Sequence, residues 1–128
     1  MDPTRIGLFD LAERRLAWTE QRQAVLARNI ANASTPAFRA ADLPSFGKTL
    51  ARAGGAEPAR TRPGHLSGTQ SGLKPSPLVP KSRAPDGNTV ALDEQLTKVA
   101  DTQTTQTLVT MIYKKYVGMF SLALGRSQ

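Results

Sequence analysis

The chain has 128 residues, a length that fits one domain of ordinary size, and its 17 Lys and Arg against 10 Asp and Glu give it a formal net charge of +7. Only 5% of its residues are aromatic and none is Cys, which excludes disulfides and thiolate metal sites. No run approaches the ~18 consecutive apolar residues of a membrane span, and the opening MDPTRIGLFDLAERRL lacks the apolar core of a cleavable signal, so composition alone assigns the chain to the cytoplasm.

Residues 4 to 31 read as one amphipathic helix, roughly 40 Å long at 1.5 Å per residue. Phe9, Ala12, Leu16, Thr19, Gln23, Leu26 and Ile30 follow one another at three- and four-residue spacings, and Leu8, Leu11, Trp18 and Val25 widen the stripe. Asp10 and Glu13 sit early and Arg22 and Arg28 late, as the helix dipole favours. Such a helix cannot bury its own stripe, so it needs a partner. Asn29 and Asn32, which favour local backbone bonding, and Thr35 before Pro36 are expected to end it. The loop that follows carries Phe38, Leu43 and Phe46, with a short helical turn expected from Phe46 through Arg52. Two aromatics in a loop need a surface on which to dock.

Residues 54 to 88 hold six Gly and six Pro, with Leu66, Leu73, Leu78 and Val79 as the only large apolar side chains. This composition cannot offset the entropy of ordering, and predicts a linker or an extended arm. His65, the single His, has no Cys partner and is read as an exposed loop residue without a metal role. Asp86-Gly87-Asn88 is a turn, after which Asn88 or Thr89 is expected to cap the next helix.

Residues 90 to 125 read as a second long helix, about 54 Å if unbroken. Its line Leu92, Leu96, Val99, Gln103, Gln106, Thr110, Tyr113, Val117, Phe120, Leu124 alternates four- and three-residue steps, a heptad pattern. A second line, Leu108, Ile112, Met119 and Leu122 with Met111 beside it, makes the C-terminal half apolar on two sides. The expected fold is therefore mainly α. Two long terminal helices pack as an antiparallel or crossing coiled coil, joined by the loop and an irregular Gly/Pro-rich middle. Periodicity leaves two arrangements open: a small bundle whose stripes are all internal, or a helix pair whose leftover apolar surface is covered by other chains.

The string Asn29-Ile30-Ala31-Asn32, two residues, Thr35-Pro36, a small residue and the aromatic Phe38 resembles the N-terminal signature of the axial rod and hook proteins of the bacterial flagellum. Two positions depart from it. Ala37 stands where that family usually has Gly, which argues against a positive backbone angle there; Phe38 stands where it usually has Tyr, which removes a hydroxyl. The C-terminal Asp86-Gly87-Asn88-Thr89-Val90, with Asp93-Glu94, Ala100-Asp101 and the stretch from Lys114 to Phe120, is similar to the proximal-rod members of the same family. Gln21-Arg22-Gln23 followed by Val25-Leu26-Ala27 looks like the same branch.

The resemblance implies a structural subunit of the proximal rod that transmits motor torque to the hook and filament, with no catalytic, cofactor or metal site. It divides the chain into the N-terminal core helix 1–31, the signature loop 32–53, the irregular arm 54–88 and the C-terminal core helix 89–126. It implies type III export without a cleaved signal and assembly in the periplasm. Further copies of the chain, rod proteins of the FlgC and FlgF type, the adapter FliE and the export gate are the implied partners. On this reading Leu16, Leu26, Ile30, Leu96, Val99, Tyr113, Val117, Phe120 and Leu124 form helix packing and subunit contacts, and Phe38 and Phe46 dock the loop.

Other functions fit less well. Within the family the alternative is FlgC itself. A small basic nucleic-acid-binding helical module would suit the sequence pI near 10.4, but the Arg residues of the first helix alternate with acids and form no basic stripe interleaved with aromatics. An enzyme would need titratable groups converging in a pocket, and a membrane-surface helix a strongly basic polar face; neither pattern is present.

Overall fold

In the computed structural model, which describes residues 7–53 and 74–125, the chain runs through helix α1 (Gly7–Ala31), strand β1 (Ala41–Asp42), helix α2 (Phe46–Ala53), strand β2 (Ser76–Pro77) and helix α3 (Leu92–Ala123). The protein is mainly helical. The first helix forms as its pattern predicts: Phe9, Trp18, Thr19 and Leu26 are buried, and Ala12, Leu16, Gln23 and Ile30 half-buried on the same side. Leu26 is sealed completely, at 0% exposure.

The stripe of α1 is covered by α3 running the opposite way. Phe9 lies edge-on to Tyr113 with ring centroids 5.1 Å apart and 5.8 Å from Phe120; Gln23 bonds Gln106; Asn29 bonds Gln95. Early residues of one helix thus meet late residues of the other. The pairing is aromatic at the Phe9 end and polar at the Asn29 end.

The inward line of α3 departs from the expected heptad line in its N-terminal half. Gln95 and Thr102 are buried, at 1% and 2% exposure, whereas Leu96 and Gln103 beside them face outward, Leu96 at 54%. The line rejoins expectation at Val99, Gln106, Thr110, Tyr113 and Phe120, all half-buried, while Leu92, Val117 and Leu124 lie on open surface. The one-residue slip has a physical reason. What α1 and the loop present there is polar, namely Arg22, Asn29 and Asp42, and each would lose about 1–3 kcal/mol if buried without a partner. Gln95 and Thr102 can bond them; Leu cannot. Among the described residues no buried side-chain nitrogen or oxygen lacks a partner.

The loop after α1 is fixed at two places. Ala41 and Asp42 pair antiparallel with Pro77 and Ser76, and the Leu78 amide extends the ladder to the Ala40 carbonyl at 2.9 Å. This two-residue ladder has no signal in the sequence, and it makes part of the expected arm an ordered strand. The rest of that arm, residues 54–73 with His65, lies outside the described residues. Further on, Phe46 opens α2 and packs 6.1 Å from Trp18, with the Arg15 guanidinium 4.6 Å from the Phe46 ring and 4.9 Å from the Trp18 ring. The indole N–H of Trp18 donates to the Pro44 carbonyl at 3.0 Å.

Candidate functional site

The two signature strings, some fifty residues apart in the chain, meet in one clasp. α1 ends at Ala31, and its last carbonyls are satisfied locally. The Asn32 amide N–H donates to Arg28 and Asn29, and the Asn32 side chain reaches back to the Arg28 carbonyl at 2.8 Å. Thr35 donates its hydroxyl to Asn32 Oδ1 at 3.1 Å. The Asn residues do not close the helix in the left-handed region. Asn29 does not stop the helix at all: it is buried inside the last turn and its side chain bonds across the interface.

The carbonyls that follow the helix are held by the other signature. Asn88 Nδ2 lies 2.9 Å from the Asn32 carbonyl, 3.0 Å from that of Ala33 and 2.7 Å from that of Thr35. Its Oδ1 accepts from the Val90 amide at 2.7 Å, and its own backbone N–H donates to Asp86 Oδ1 at 3.0 Å, an Asx turn that sets its direction. Thr89 completes the seam, its amide donating to the Phe38 carbonyl and its hydroxyl accepting from the Ala40 amide, both at 3.0 Å. Contrary to the expectation from sequence, Asn88 and Thr89 therefore do not cap α3. The cap position is Ala91, which makes no side-chain bond, and Asp93 and Glu94 in the first turn supply the favourable charge.

Ala37 sits in this clasp at φ 57, in the left-handed region, contrary to the expectation that Ala there argues against a positive angle. Its amide donates to the Asp86 carbonyl at 3.0 Å. That contact requires the chain to turn inward at residue 37, and the surrounding bonds hold a conformation that costs Ala about 1 kcal/mol or more.

Beneath the clasp a polar cluster ties the loop to both helices. Arg22 grips Asp42 with two bonds, Nε to Oδ1 and Nη2 to Oδ2, each 3.0 Å, and Lys98 Nζ lies 3.3 Å from the same Oδ2. Asn29 donates to the Ala41 carbonyl at 2.7 Å and to Gln95 Oε1 at 2.9 Å, and accepts from the Ala41 amide. Burial, the largest influence on the Asp42 carboxyl, pushes its pKa up; the bonds and charge of Arg22, the Leu43 amide and Lys98 outweigh it and hold the group below the usual value.

Of the signature residues, Asn29, Asn32, Gly87 and Asn88 act directly in the clasp and cluster. Asp86 lends backbone and carboxylate oxygens, Phe38 lends its carbonyl and is half-buried, Thr35 is exposed but lends its carbonyl to Asn88 and its hydroxyl to Asn32, and Ala31 and Pro36 are exposed. Ile30 belongs to the α1 stripe. Asp42, Gln95, Thr102 and the pairing role of Arg22 are not read from the sequence. Asp42 alone left a trace, as the sole acidic residue between Glu20 and Glu57. Among the described residues no helix is long and apolar enough to cross a membrane, and no three His, Cys, Asp or Glu side chains gather as metal ligands would.

Comparison with known proteins gives these features a family. A profile described as flagella basal body rod protein matches residues 9–39, the stripe of α1 and the first signature. The chain is 32% identical to the flagellar basal body rod protein FlgB of Agrobacterium fabrum (strain C58 / ATCC 33970), an alignment of 127 residues covering 94% of this chain and 95% of that one. It is 33% identical to FlgB of Cereibacter sphaeroides over 86% of this chain and 88% of the relative, and 32% identical to FlgB of Yersinia enterocolitica over 91% and 93%. With both ends and the clasp spanned by relatives of one kind, the chain belongs to the FlgB family of flagellar basal body rod proteins, as a structural subunit of the basal body and not an enzyme.

Proposed function

We propose that the chain is a subunit of the proximal rod, which carries motor torque toward the hook and filament through close contacts between the terminal helices of neighbouring copies. The observation that carries this reading is the apolar surface left open on α3. Leu96, Leu108, Met111, Ile112, Val117, Met119, Leu122 and Leu124 are all exposed in the single chain, Leu122 at 73%, and Leu8 and Leu11 add a strip on α1. A face of that extent is an association surface, and a head-to-tail contact repeated by identical subunits builds a helical array.

On this reading Leu16, Leu26, Ile30, Val99, Tyr113 and Phe120 hold the helices of one chain together, and Leu96, Val117 and Leu124 face neighbours. Support for a coiled-coil pairing comes from the four- and three-residue steps of Gln95, Val99, Thr102 and Gln106 along the inward face. Phe46 docks the loop on α1 through Trp18. Residues 1–31 and 89–126 form the rod core, 32–53 the signature loop and 54–88 an arm. The subunit is exported without a cleaved signal and assembles in the periplasm beside FlgC- and FlgF-type rod proteins, the adapter FliE and the export gate.

Deleting the gene and restoring it tests the reading. Swimming in soft agar should be lost on deletion, return with the wild-type chain and fail to return with Val117→Asp. Normal swimming without the protein would end it.

A further inference from the structure

The polar end of the helix pair has an excess of positive charge that one loop residue relieves. Arg22 of α1 and Lys98 of α3 converge on a single oxygen, Asp42 Oδ2, at 3.0 and 3.3 Å. Arg15, a turn or two earlier on α1, shares the Trp18 ring with Arg22: their guanidinium carbons stand 4.9 and 5.3 Å from its centroid. Two cations thus share one carboxylate, and a third stands beside Arg22 across the indole. Arg22 and Lys98 make no other ion pair among the described residues, and their side chains are only 20% and 24% exposed. Asp42 is not contributed by either helix. It comes from the loop, where the ladder to β2, the Asn29 bonds to Ala41 and the Leu43 amide on its own Oδ1 fix its position.

We propose that Asp42 is an electrostatic latch that makes pairing of the two terminal helices conditional on docking of the loop. Helix pairing alone brings Arg22 and Lys98 together in a half-shielded space where like charges repel, a repulsion that added salt reduces in part. With the loop carboxylate in place the same two cations become the attachment points of all three segments. The terminal helices of one chain therefore stay apart until residues 40–43 have found their seat, and then pair in a single register. The Gln95 and Thr102 bonds become available at the same step, since Thr102 faces Arg22 at 3.5 Å and Gln95 faces Asn29.

The full-length chain with Asp42→Asn, Lys98→Met and both substitutions together, melted by circular dichroism at low and high salt, tests the latch. Asp42→Asn is nearly the same size and keeps one acceptor oxygen, but it removes the charge and puts an NH2 donor where Arg22 and Lys98 need an acceptor. Its midpoint should fall by roughly 10 °C at low salt. Adding Lys98→Met should restore most of that loss, and raising salt should stabilise Asp42→Asn while destabilising the wild type. If Asp42→Asn is too unstable to melt, the double variant decides: recovery of a helical transition supports the latch. The proposal is overturned if Asp42→Asn melts as the wild type does, if neither Lys98→Met nor salt rescues it, or if the wild-type chain shows no cooperative helical transition at any salt.

Discussion

Ala37 and Gly87 lie back to back, both at positive φ, with the Ala37 Cα 3.5 Å from the point where a side chain on Gly87 would begin. This contact brings the two signatures together, and it puts opposite demands on its two residues. At residue 87 the left-handed angle is met by Gly without strain; at residue 37 it is imposed on Ala. Ala37→Gly should raise stability by about 0.5–1 kcal/mol, the relief of the left-handed strain exceeding the added freedom of the unfolded chain. Gly87→Ala should lower it by about 1 kcal/mol, chiefly through φ, since 3.5 Å is an ordinary contact. Thermal melts of the two variants check the opposite signs.

Among the described residues, Asn88 is the only one whose side chain reaches the Asn32, Ala33 and Thr35 carbonyls in the clasp. Asn88→Ala removes those donors and the Val90 acceptor, and should cost about 2–3 kcal/mol. Asn88→Asp keeps the acceptor and loses the donors, placing a carboxylate among carbonyl oxygens, and should be no better than Ala. A near-normal melting point for Asn88→Asp would show that the Val90 bond, not the carbonyl clamp, is what matters.

Acid should release the loop through Asp42. Its pKa is lowered in the folded chain, so the stability it confers is complete above the ordinary carboxylate value and is lost as pH falls through the depressed folded value. Helical signal followed against pH should therefore show a component of acid unfolding below about pH 4. That component should be missing in Asp42→Asn, whose remaining acid response comes from other carboxylates.

Outward and inward apolar residues should separate cleanly by readout. Phe9, buried between Tyr113 and Phe120, should cost about 3 kcal/mol when truncated to Ala. Leu96→Asp and Leu122→Asp, on open surface, should change the melting point of the single chain by less than about 0.5 kcal/mol equivalent and yet abolish swimming. Loss of fold in the surface variants would place those residues in the helix pair after all.

The two long helices, the amphipathic stripe of α1, the break after Ala31 and the apolar excess of α3 were all legible in the chain itself, because each depends on spacing among near neighbours. The motifs around Asn29 to Phe38 and Asp86 to Asn88 were legible as strings but not as one object. Only the tertiary structure decided that Asn88 clamps carbonyls rather than capping α3, that Asn29 points across the interface rather than ending its helix, and that Ala37 accepts a positive φ. It also decided which face of α3 turns inward. Hydropathy favoured Leu96 over Gln95, but burial went to the residue that could satisfy Asn29, a partner 66 residues away. Periodicity reports how greasy each face of a helix is. It does not report which polar groups the opposite element will bring, and in a thin two-helix structure with a polar loop wedged beside it, those groups decide the register.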